Sequence, residues 1–539
     1  MVAWRRPLAA ISLLATGGLL LSGCGVVNNL TGDSEKPAES SSPGEAEKAE
    51  EAVEADFPYV REGRMFLDTG QDVRTELAIT GLERTPDYTV LYYEQTYLDQ
   101  LTGLNTWLST PPTLIDPVSG QVFQEYTDDE GYAIYGSYGS LENEYFPVWE
   151  GVTNKYRTYF PRLPKGVKQV TFVGHGMGAM TGIPVQDVKE EQPFPEPNGA
   201  QYENTQPPED EALTFEVRPP DGQAVENKAD LESFVDSDIA STTRDGDEET
   251  VSLHSDVMFE FDESELTGDA EDVVKQAATT LTRNVDPENP EITVIGHTDG
   301  KGSDDYNKKL SKERAETVRD LLKDEVGDEF SFEVEARGSK DPVADEGGSD
   351  DEEARARNRR VEFSYQIDPD SAAEGSGEDG DGSALDAAER NVAAPAPFAA
   401  DDGEVVASTT KDDVKLDVHP LRRDGGYVIG TVSLTNTSDE PIQPDMGGED
   451  SLQPGGPAQF SEGALGGFQL LDPGSDLVRY VAQMKFSDDE YMAFAEEVHE
   501  LQPGEAYRNI AVFPAPPSDA TEMTLRAGPF GELENVPIQ

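Results

Sequence analysis

Apolar positions between residues 250 and 367 follow two different periods. Short runs with a period of two indicate strands, and longer runs with a period near 3.6 indicate helices that bury one face. The pattern predicts strands and helices in the order strand, helix, strand, helix, strand, short helix, strand, at residues 251–261, 267–283, 291–297, 304–326, 330–337, 350–357 and 359–366. Because each helix has one apolar face, we expect an α+β domain in which a mixed sheet is covered by helices on one face.

The regions on either side, 57–190 and 403–539, contain short alternating runs bounded by Gly, Pro, Asn and Asp, a pattern that is typical of strands joined by turns. The two regions also resemble each other. Residues 159–185 align without gaps to residues 512–538, and the segment 72–84 resembles the segment 413–423. We interpret both regions as β-sandwich domains that serve as spacers or as surfaces for protein contact.

Three segments are rich in acidic residues and poor in large apolar ones, at residues 24–56, 191–249 and 368–402. Such composition predicts a disordered tether and two disordered linkers. The whole chain of 539 residues has a formal net charge of -68, from 109 acidic and 41 basic residues. A surface of this charge repels nucleic acid and anionic polymers, so nucleic acid is excluded as a partner and any binding to an anionic polymer has to be local.

The N-terminus resembles a bacterial lipoprotein signal. Arg5 and Arg6 precede an apolar run at residues 8–21, and the run ends in Leu21-Ser-Gly-Cys24. The resemblance implies that the signal peptide 1–23 is removed and that Cys24, the only cysteine, carries a diacylglyceryl anchor. The anchored protein would lie on the extracytoplasmic side of the cell membrane, or on the outer membrane if the organism has one. The alternative is a free cysteine in a plain signal anchor.

Signals for enzymatic or metal chemistry are weak. Gly174-His-Gly-Met-Gly178 imitates the nucleophile turn of α/β-hydrolases, but Gly176 occupies the nucleophile position and has no hydroxyl. No helical pattern follows these glycines, so a turn between strands is predicted instead of a dinucleotide loop. The five histidines are scattered, and residues 378–389 fit no calcium-loop register, although weak calcium association with the acidic tracts is possible. We therefore expect no catalytic residue, cofactor or designed metal site, and a secreted hydrolase is a rival hypothesis without a visible nucleophile.

Arg314 is an unusual residue in the helix predicted at 304–326. At about 100° per residue it lies among the apolar positions, between Leu321 and Val318, while the other charges take the opposite half. Asn307, nearly two turns earlier, points the same way, and Asp299 lies in the turn before the helix. Two interpretations are open at this point: Arg314 and Asp299 form a structural ion pair that closes the turn, or they form the floor of a ligand site.

Five ordered motifs resemble the OmpA-like peptidoglycan-binding domain, which outer-membrane OmpA, peptidoglycan-associated lipoproteins and flagellar stator proteins share. The motifs are Val257-Met-Phe-Glu-Phe-Asp262, Gly296-His-Thr-Asp299, the helical segment from Tyr306 to Ala315, Ala336-Arg-Gly338 with Pro342, and the segment from Arg355 to Val361. The loop after Pro342 is longer and more acidic than is usual in the family, which puts ligand contacts from this loop in doubt.

The resemblance implies non-covalent binding of diaminopimelate from the peptidoglycan stem peptide. It implies that Asp299 accepts from the ligand ammonium, that Arg314 grips a carboxylate, and that further contacts come from Asn307, Thr298, Asn358 and Arg359. Diaminopimelate presents an ammonium and a carboxylate on one carbon, and a fixed anion beside a forked guanidinium complements that pair. The ligand interpretation of Arg314 is therefore favoured. His297 is expected to be a packed imidazole.

These expectations combine into one hypothesis. The chain would be a lipid-anchored envelope protein that tethers a membrane to the cell wall. The alternative is an envelope scaffold whose β-sandwiches bind protein partners, with peptidoglycan binding serving only for retention.

Overall fold

The computed structural model describes residues 56–66, 72–99, 112–137, 149–174, 176–202, 205–208, 210–260, 262–344, 346–347, 351–367, 392–447, 465–487, 490–494 and 498–539. The predicted signal peptide, Cys24 and residues 24–55 of the predicted tether lie outside these ranges. Among the described residues, no helix combines the length and apolar character that a membrane crossing requires.

The N-terminal part of the described chain consists of two sheets. Its strands are β1 Tyr59–Phe66, β2 Asp72–Arg84, β3 Tyr88–Tyr97, β4 Thr113–Ile115, β5 Gln121–Thr127, β6 Thr153–Pro161, β7 Gln169–Gly174, β8 Gly178–Pro184, β9 Gln186–Asp187 and β10 Leu213–Thr214. One sheet has the order β1-β2-β3-β6-β10, with β9 beside β2, and the other places β5, β4, β7 and β8 side by side. Buried side chains of both sheets, such as Leu91 and Phe172, belong to one hydrophobic cluster.

The central part is a sheet with helices. Its elements are β11 Val225–Asp236, β12 Ala240–Asp245, β13 Glu248–His254, α1 Ser255–Met258, α2 Gly268–Asn284, β14 Glu291–His297, α3 Asp304–Val326, β15 Ser331–Gly338, α4 Asp351–Asn358 and β16 Arg360–Gln366. The strand order is β15-β14-β16-β13-β12-β11, with β14 and β15 parallel and the other pairs antiparallel. Apolar residues of α2 and α3 pack with β13, β14 and β16 in one buried cluster.

Helix α3 begins and ends where its sequence predicts. The Ser303 side chain caps it by accepting from the backbone N–H of Tyr306 at 3.3 Å, and Gly327 ends it with φ of 82°. Gly296 allows α3 to approach β14 closely, because a Cβ there would lie 1.9 Å from the Ser311 carbonyl oxygen. Helical periodicity places Tyr306 with the apolar positions of α3, but this residue is 42% exposed and the buried stripe starts at Asn307.

The first predicted strand of this domain is wrong in its second half. The sequence pattern predicts one strand over residues 251–261, but β13 ends at His254 and the four residues of α1 follow. The alternation ends because Asp256 follows the buried Ser255, and one helical turn then places Met258 and Phe259 in the core. The other helices and strands of this domain lie within one residue of their predicted bounds.

The described C-terminal part consists mainly of strands, with one 3-10 turn at Gly528–Phe530. The strands are β17 Ala407–Lys411, β18 Val414–Val418, β19 Arg422–Asp424, β20 Tyr427–Asn436, β21 Phe468–Leu471, β22 Val478–Tyr480, β23 Gln483–Ser487, β24 Glu490–Ala493, β25 Ala506–Pro514, β26 Glu522–Ala527 and β27 Glu532–Pro537. Strands β17, β18, β20, β19 and β25 form one sheet, while β22, β21, β26 and β27 continue the sheet that contains the central domain.

The internal resemblance is present in the fold. The aligned segments 159–185 and 512–538 contain β6, β7, β8 and β25, β26, β27 in the same order. Each copy adds a hairpin, β4–β5 or β21–β22, whose first strand pairs with β7 or β26. The glycines at 174–178 connect the antiparallel strands β7 and β8, so the predicted turn is confirmed.

Strand β11 joins all three parts. Its first half pairs with β5, its middle with β23, and its last residues with β12 and β22. The two hairpin strands that correspond in the internal repeat, β5 and β22, therefore attach to the same strand. The assignment of residues 57–190 and 403–539 as separate β-sandwich domains stays a prediction, because both regions share this strand with the central sheet.

The expectation of a disordered linker at residues 191–249 is wrong for β10, β11 and β12. The acidic composition led to the wrong expectation, because apolar residues still alternate with polar ones along β11. This alternation buries Ala229 and Leu231 in a hydrophobic cluster shared with strands of both flanking regions. The charge of Asp236 is compensated, because it accepts an ion pair from Arg357 at 2.6 Å. In the second predicted linker, 368–402, residues 392–402 are described and pack on β8, where the Thr181 hydroxyl donates to the Pro397 carbonyl at 2.8 Å.

Glu232 is a buried acid at the centre of β11. Its side chain is 6% exposed, and its Oε2 has no hydrogen-bond partner among the described residues. Burial, and then the charge of Asp245, raises the pKa of Glu232 to about 7, while Lys485 opposes the shift. The folded chain therefore holds this proton more tightly than the unfolded chain, whose value is near 4.5.

Replacing Glu232 by Gln should change the pH dependence of stability. The unfolded carboxyl loses its proton near pH 4.5 and the folded one only near pH 7, so the acid destabilises the wild type increasingly across this window. We expect the melting temperature of Glu232→Gln minus that of the wild type to rise from pH 4.5 to 7 and to stay constant above it. Glu226→Gln, exposed on the same strand, is the matched control, and a difference that does not change with pH would contradict the assignment.

Candidate binding site between β14 and α3

The turn from β14 into α3 is fixed mainly through its backbone. The N–H of Thr298 donates to the Gly338 carbonyl at 2.9 Å, which ties the turn to the end of β15. The Asn307 side-chain amide donates to the Asp299 carbonyl at 3.3 Å, and the Thr298 hydroxyl donates to the same oxygen at 3.1 Å. Thr298 and Asn307 are 5% and 3% exposed, so both position the turn from within.

The Asp299 carboxylate is held by a cation that sequence reasoning did not pair with it. Its Oδ2 accepts from Arg359 Nη1 at 2.7 Å, and its Oδ1 accepts from the backbone N–H of Lys301 at 3.0 Å. Arg359 also makes two bonds to Asp256, at 2.7 and 2.6 Å, and one to Glu352 at 3.2 Å. The bonds to Asp256 and then to Asp299 raise the pKa of Arg359 against the opposing effect of burial.

Arg314 is a buried cation with little compensation. It is 4% exposed, its guanidinium carbon lies 4.9 Å from the centre of the Phe259 ring, and its Nε donates to the Glu263 carbonyl at 3.0 Å. In the described part of the chain its two terminal amino groups have no hydrogen-bond partner, and they are not sealed from solvent. Burial lowers the pKa of Arg314, while the more distant charge of Asp256 opposes that shift.

The structure thus separates the two open interpretations of Arg314. Asp299 forms its ion pair with Arg359, and among the described residues no carboxylate lies within ion-pair distance of Arg314. The interpretation of Asp299 and Arg314 as a structural pair is therefore wrong. Asp299 lies in the turn after β14 and has its charge compensated, whereas Arg314 lies in the following helix α3 and has no paired charge in the described structure.

Asn358 has a supporting position. Its Oδ1 accepts from the backbone N–H groups of Val343 and Ala344 at 2.8 and 3.0 Å. Its Nδ2 donates to the Ala344 carbonyl at 2.8 Å and to Glu346 at 2.9 Å. The amide has used four hydrogen-bonding positions and is 1% exposed, so Asn358 anchors the loop after Pro342 and offers nothing to a ligand.

The two arginines at the start of β16 point to opposite sides of the sheet. Arg359 faces the turn at Asp299. Strand alternation alone does not decide which of the two arginines faces solvent, and in the structure Arg360 is 5% exposed and its Nε donates to Glu362 Oε1 at 2.6 Å. His297 is buried as predicted, and its Nε2 lies 3.1 Å from Glu362 Oε2. Burial opposes ionisation of Glu362, but the His297 and Arg360 contacts lower its pKa to about 2.

Sequence reasoning missed three participants. Asp256 pairs with Arg359, Phe259 lies under Arg314, and Glu346 accepts from the backbone N–H of Gly300 at 2.9 and 3.1 Å. Asp256 could have been found as the charge that interrupts the alternation of β13. The contact of Glu346 requires the long acidic loop to fold back over the turn, which no local pattern predicts.

The central domain matches a known family. Residues 258–359 match the OmpA family, so the predicted OmpA-like domain is confirmed. Clusters of side chains suited to hold a metal ion are absent from the part of the chain that the structure describes.

Two similar proteins each match about a fifth of this chain or less. Outer membrane porin F of Pseudomonas aeruginosa is 39% identical over 121 residues, which are 22% of this chain and 33% of that protein. Outer membrane protein A of Serratia marcescens is 43% identical over 70 residues, 13% of this chain and 19% of that protein. The chain therefore spans a minor part of both relatives.

Two solved structures are each similar to about a quarter of this chain or less. The cell wall anchor of the T6SS from Pseudomonas aeruginosa is 29% identical, with a TM-score of 0.21, over 24% of this chain and 88% of that one. The peptidoglycan-associated lipoprotein from Burkholderia pseudomallei is 32% identical, with a TM-score of 0.18, over 20% of this chain and 88% of that one.

Removing the Asn358 amide should loosen the loop without touching Arg314. Because the amide is buried and makes four hydrogen bonds, Asn358→Ala should lower the free energy of unfolding by roughly 1–3 kcal/mol. Hydrogen exchange at the Val343 and Ala344 amides should become faster. Asn289→Ala, at an exposed asparagine of the same domain, is the control, and equal effects of the two substitutions would show that Asn358 does not anchor the loop.

Proposed function

We propose that this chain, whose residues 258–359 form an OmpA family domain, binds the diaminopimelate of peptidoglycan without covalent chemistry. A lipid on Cys24 would fix the N-terminus in a membrane, so the protein would tether that membrane to the cell wall. The predicted tether, residues 24–56, could extend to roughly 100 Å. The proposal assigns no catalytic step to the chain.

The uncompensated charge of Arg314 carries this proposal. A buried cation costs free energy unless an anion or several hydrogen bonds compensate it. The protein supplies a ring face and one carbonyl, at Phe259 and Glu263, and leaves the two terminal amino groups of the guanidinium for another acceptor. A ligand carboxylate can accept two parallel bonds from these groups, which is the geometry that Arg favours over Lys.

Asp299 supplies the complementary charge. Each of its carboxylate oxygens has one partner, Arg359 Nη1 or the Lys301 N–H, and each can accept a second bond. Its side chain is 13% exposed, so a ligand ammonium can reach it without displacing Arg359. An ammonium and a carboxylate on one carbon, as at the free end of diaminopimelate, match a fixed anion and an uncompensated guanidinium on adjacent elements.

Substitution of either charge should weaken wall binding. Asp299→Ala and Arg314→Ala each remove a charge-assisted interaction, which corresponds to a loss in affinity of roughly tenfold to a hundredfold. Arg314→Lys keeps the charge but loses the fork, so it should not restore wild-type binding. Co-sedimentation with diaminopimelate-containing sacculi measures the effect, and thermal unfolding checks that each variant is folded.

The control is Lys309→Ala, an exposed cation on the same helix. It should bind sacculi as the wild type does. Capture of Asp299→Ala and Arg314→Ala at wild-type levels would refute the site.

Competition tests the ligand itself. Stem peptides that contain diaminopimelate should displace the wild type from sacculi, whereas the same peptides with lysine at that position should not, because the free end of that lysine carries an ammonium but no carboxylate. Equal displacement by both peptides would show that Arg314 does not read a carboxylate at that end.

Point substitutions are preferable to domain deletions for this purpose. Removal of residues 57–190 would take β5 from β11, and removal of 403–539 would take β22 and β23 from it. Loss of wall binding after such a deletion could therefore result from damage to the central sheet and would not identify a binding role of the deleted region.

A further inference from the structure

The central sheet has a second concave site on the face away from α2 and α3. Val251 and Leu253 of β13 point into the helix-covered core, so Thr250 and Ser252 point to the other side. On that side lies a pocket of about 260 Å³. None of the side chains assigned to the diaminopimelate site lines it.

Four hydroxyl groups on β12 and β13 line this pocket. Thr243 lies opposite Thr250 in the antiparallel register, and Ser241 lies opposite Ser252. In the described structure none of these four hydroxyls has a hydrogen-bond partner; Ser252 is 8% exposed and the other three residues are half-buried. Four hydroxyls that face one open space and make no hydrogen bond within the protein are available to a ligand with several hydrogen-bonding groups.

An aromatic ring and charged groups complete the wall. Phe234 lies opposite Thr243 on β11, and the Tyr480 ring holds it in an edge-to-face contact at 5.1 Å. Arg360 and Glu362 face the pocket from β16, and Arg357 faces it from the end of α4.

Each of these charges is already paired. Arg357 binds Asp236 at 2.6 Å, Arg360 binds Glu362 at 2.6 Å, and His297 contacts the other oxygen of Glu362. His254, which also lines the pocket, has its pKa lowered by burial, so its imidazole favours the neutral form. The pocket therefore offers many donors and acceptors without an excess charge for an ionic ligand.

We infer that this pocket binds one neutral saccharide ring. A sugar carries hydroxyl groups that both donate and accept, which complements the four Ser and Thr hydroxyls and the remaining positions of the paired Arg and Glu groups. Its apolar ring face fits against Phe234. The volume is slightly below the range of roughly 300–1,000 Å³ that is usual for larger ligands, so the pocket accommodates a single ring.

The site is independent of the proposed wall-peptide site. The saccharide can come from a free sugar or from a glycan strand of the wall, and both present the same chemistry. Glycan strands from which the stem peptides have been removed contain no diaminopimelate, so they separate the two sites experimentally.

The test uses the full mature chain and four probes: glucose, N-acetylglucosamine, glucuronate and peptide-free glycan strands. Titration by calorimetry or ligand-observed NMR should give saturable binding of at least one neutral monosaccharide or of the strands, with a dissociation constant of about 1 mM or below. Binding of a monosaccharide assigns the free sugar as a source, and binding of the strands alone assigns the wall glycan. Binding of glucuronate alone, or of no probe, would overturn the inference.

Variants locate the binding. The isosteric double substitution Thr243→Val with Thr250→Val removes two hydroxyls and should weaken saccharide binding roughly tenfold or more. Ser252→Ala is a smaller change that should act in the same direction, and it serves if the double variant unfolds. Thr293 lies on β14, on the same face of the sheet as the pocket but outside it, so Thr293→Val should bind the saccharide as the wild type does.

Asp299→Ala separates this inference from the proposed function. It should leave saccharide binding unchanged while weakening the binding of whole sacculi. Wild-type saccharide binding by the folded double variant and by Ser252→Ala would place the ligand elsewhere and refute the pocket.

Discussion

A guanidinium that is buried without an opposite charge is the constraint on which the central domain depends. Arg314 makes a cation–π contact with the Phe259 ring and one hydrogen bond to the Glu263 carbonyl. These two contacts do not fully offset the free-energy cost of removing the guanidinium from water. Asp299 does not neutralise it, because Arg359 already holds that carboxylate, and Asp256 and Asp262 act on Arg314 only from beyond ion-pair distance. A protein retains such an arrangement at the cost of stability, and a ligand that brings its own carboxylate recovers that cost on binding.

The domain around this residue is joined to both flanking regions through shared strand pairing. Strand β11 is shared by the central sheet and by corresponding strands of the two repeated regions, β5 and β22. Antiparallel pairing along one strand fixes direction and register at the same time. The repeated regions are therefore attached to the central domain by main-chain hydrogen bonds, so both support the central sheet.

The sequence predicted the parts of this structure that local periodicity determines. The bounds of β14 and α3 follow from the two hydrophobic periods, and the unusual position of Arg314 follows from helical periodicity alone. Its lack of a partner does not follow from that periodicity, because the pairing of Asp299 with Arg359 joins residues 60 positions apart. Composition misled at β11, since an average over acidic residues conceals which of them alternate with buried Leu231 and which are paired across the fold.

The two candidate sites lie on opposite faces of the same sheet, and this follows from the alternation of side chains along a strand. At β16, Arg359 reaches Asp299 on one side while Arg360 and Glu362 line the pocket on the other. The loop after Pro342 spans both, because Val343 lines the pocket and Glu346 binds the Gly300 N–H beside Asp299. The Asn358 side-chain amide binds both of these loop residues, because its Oδ1 accepts from the Val343 N–H and its Nδ2 donates to Glu346. The loop therefore lies beside both sites, although they share no ligand-facing residue.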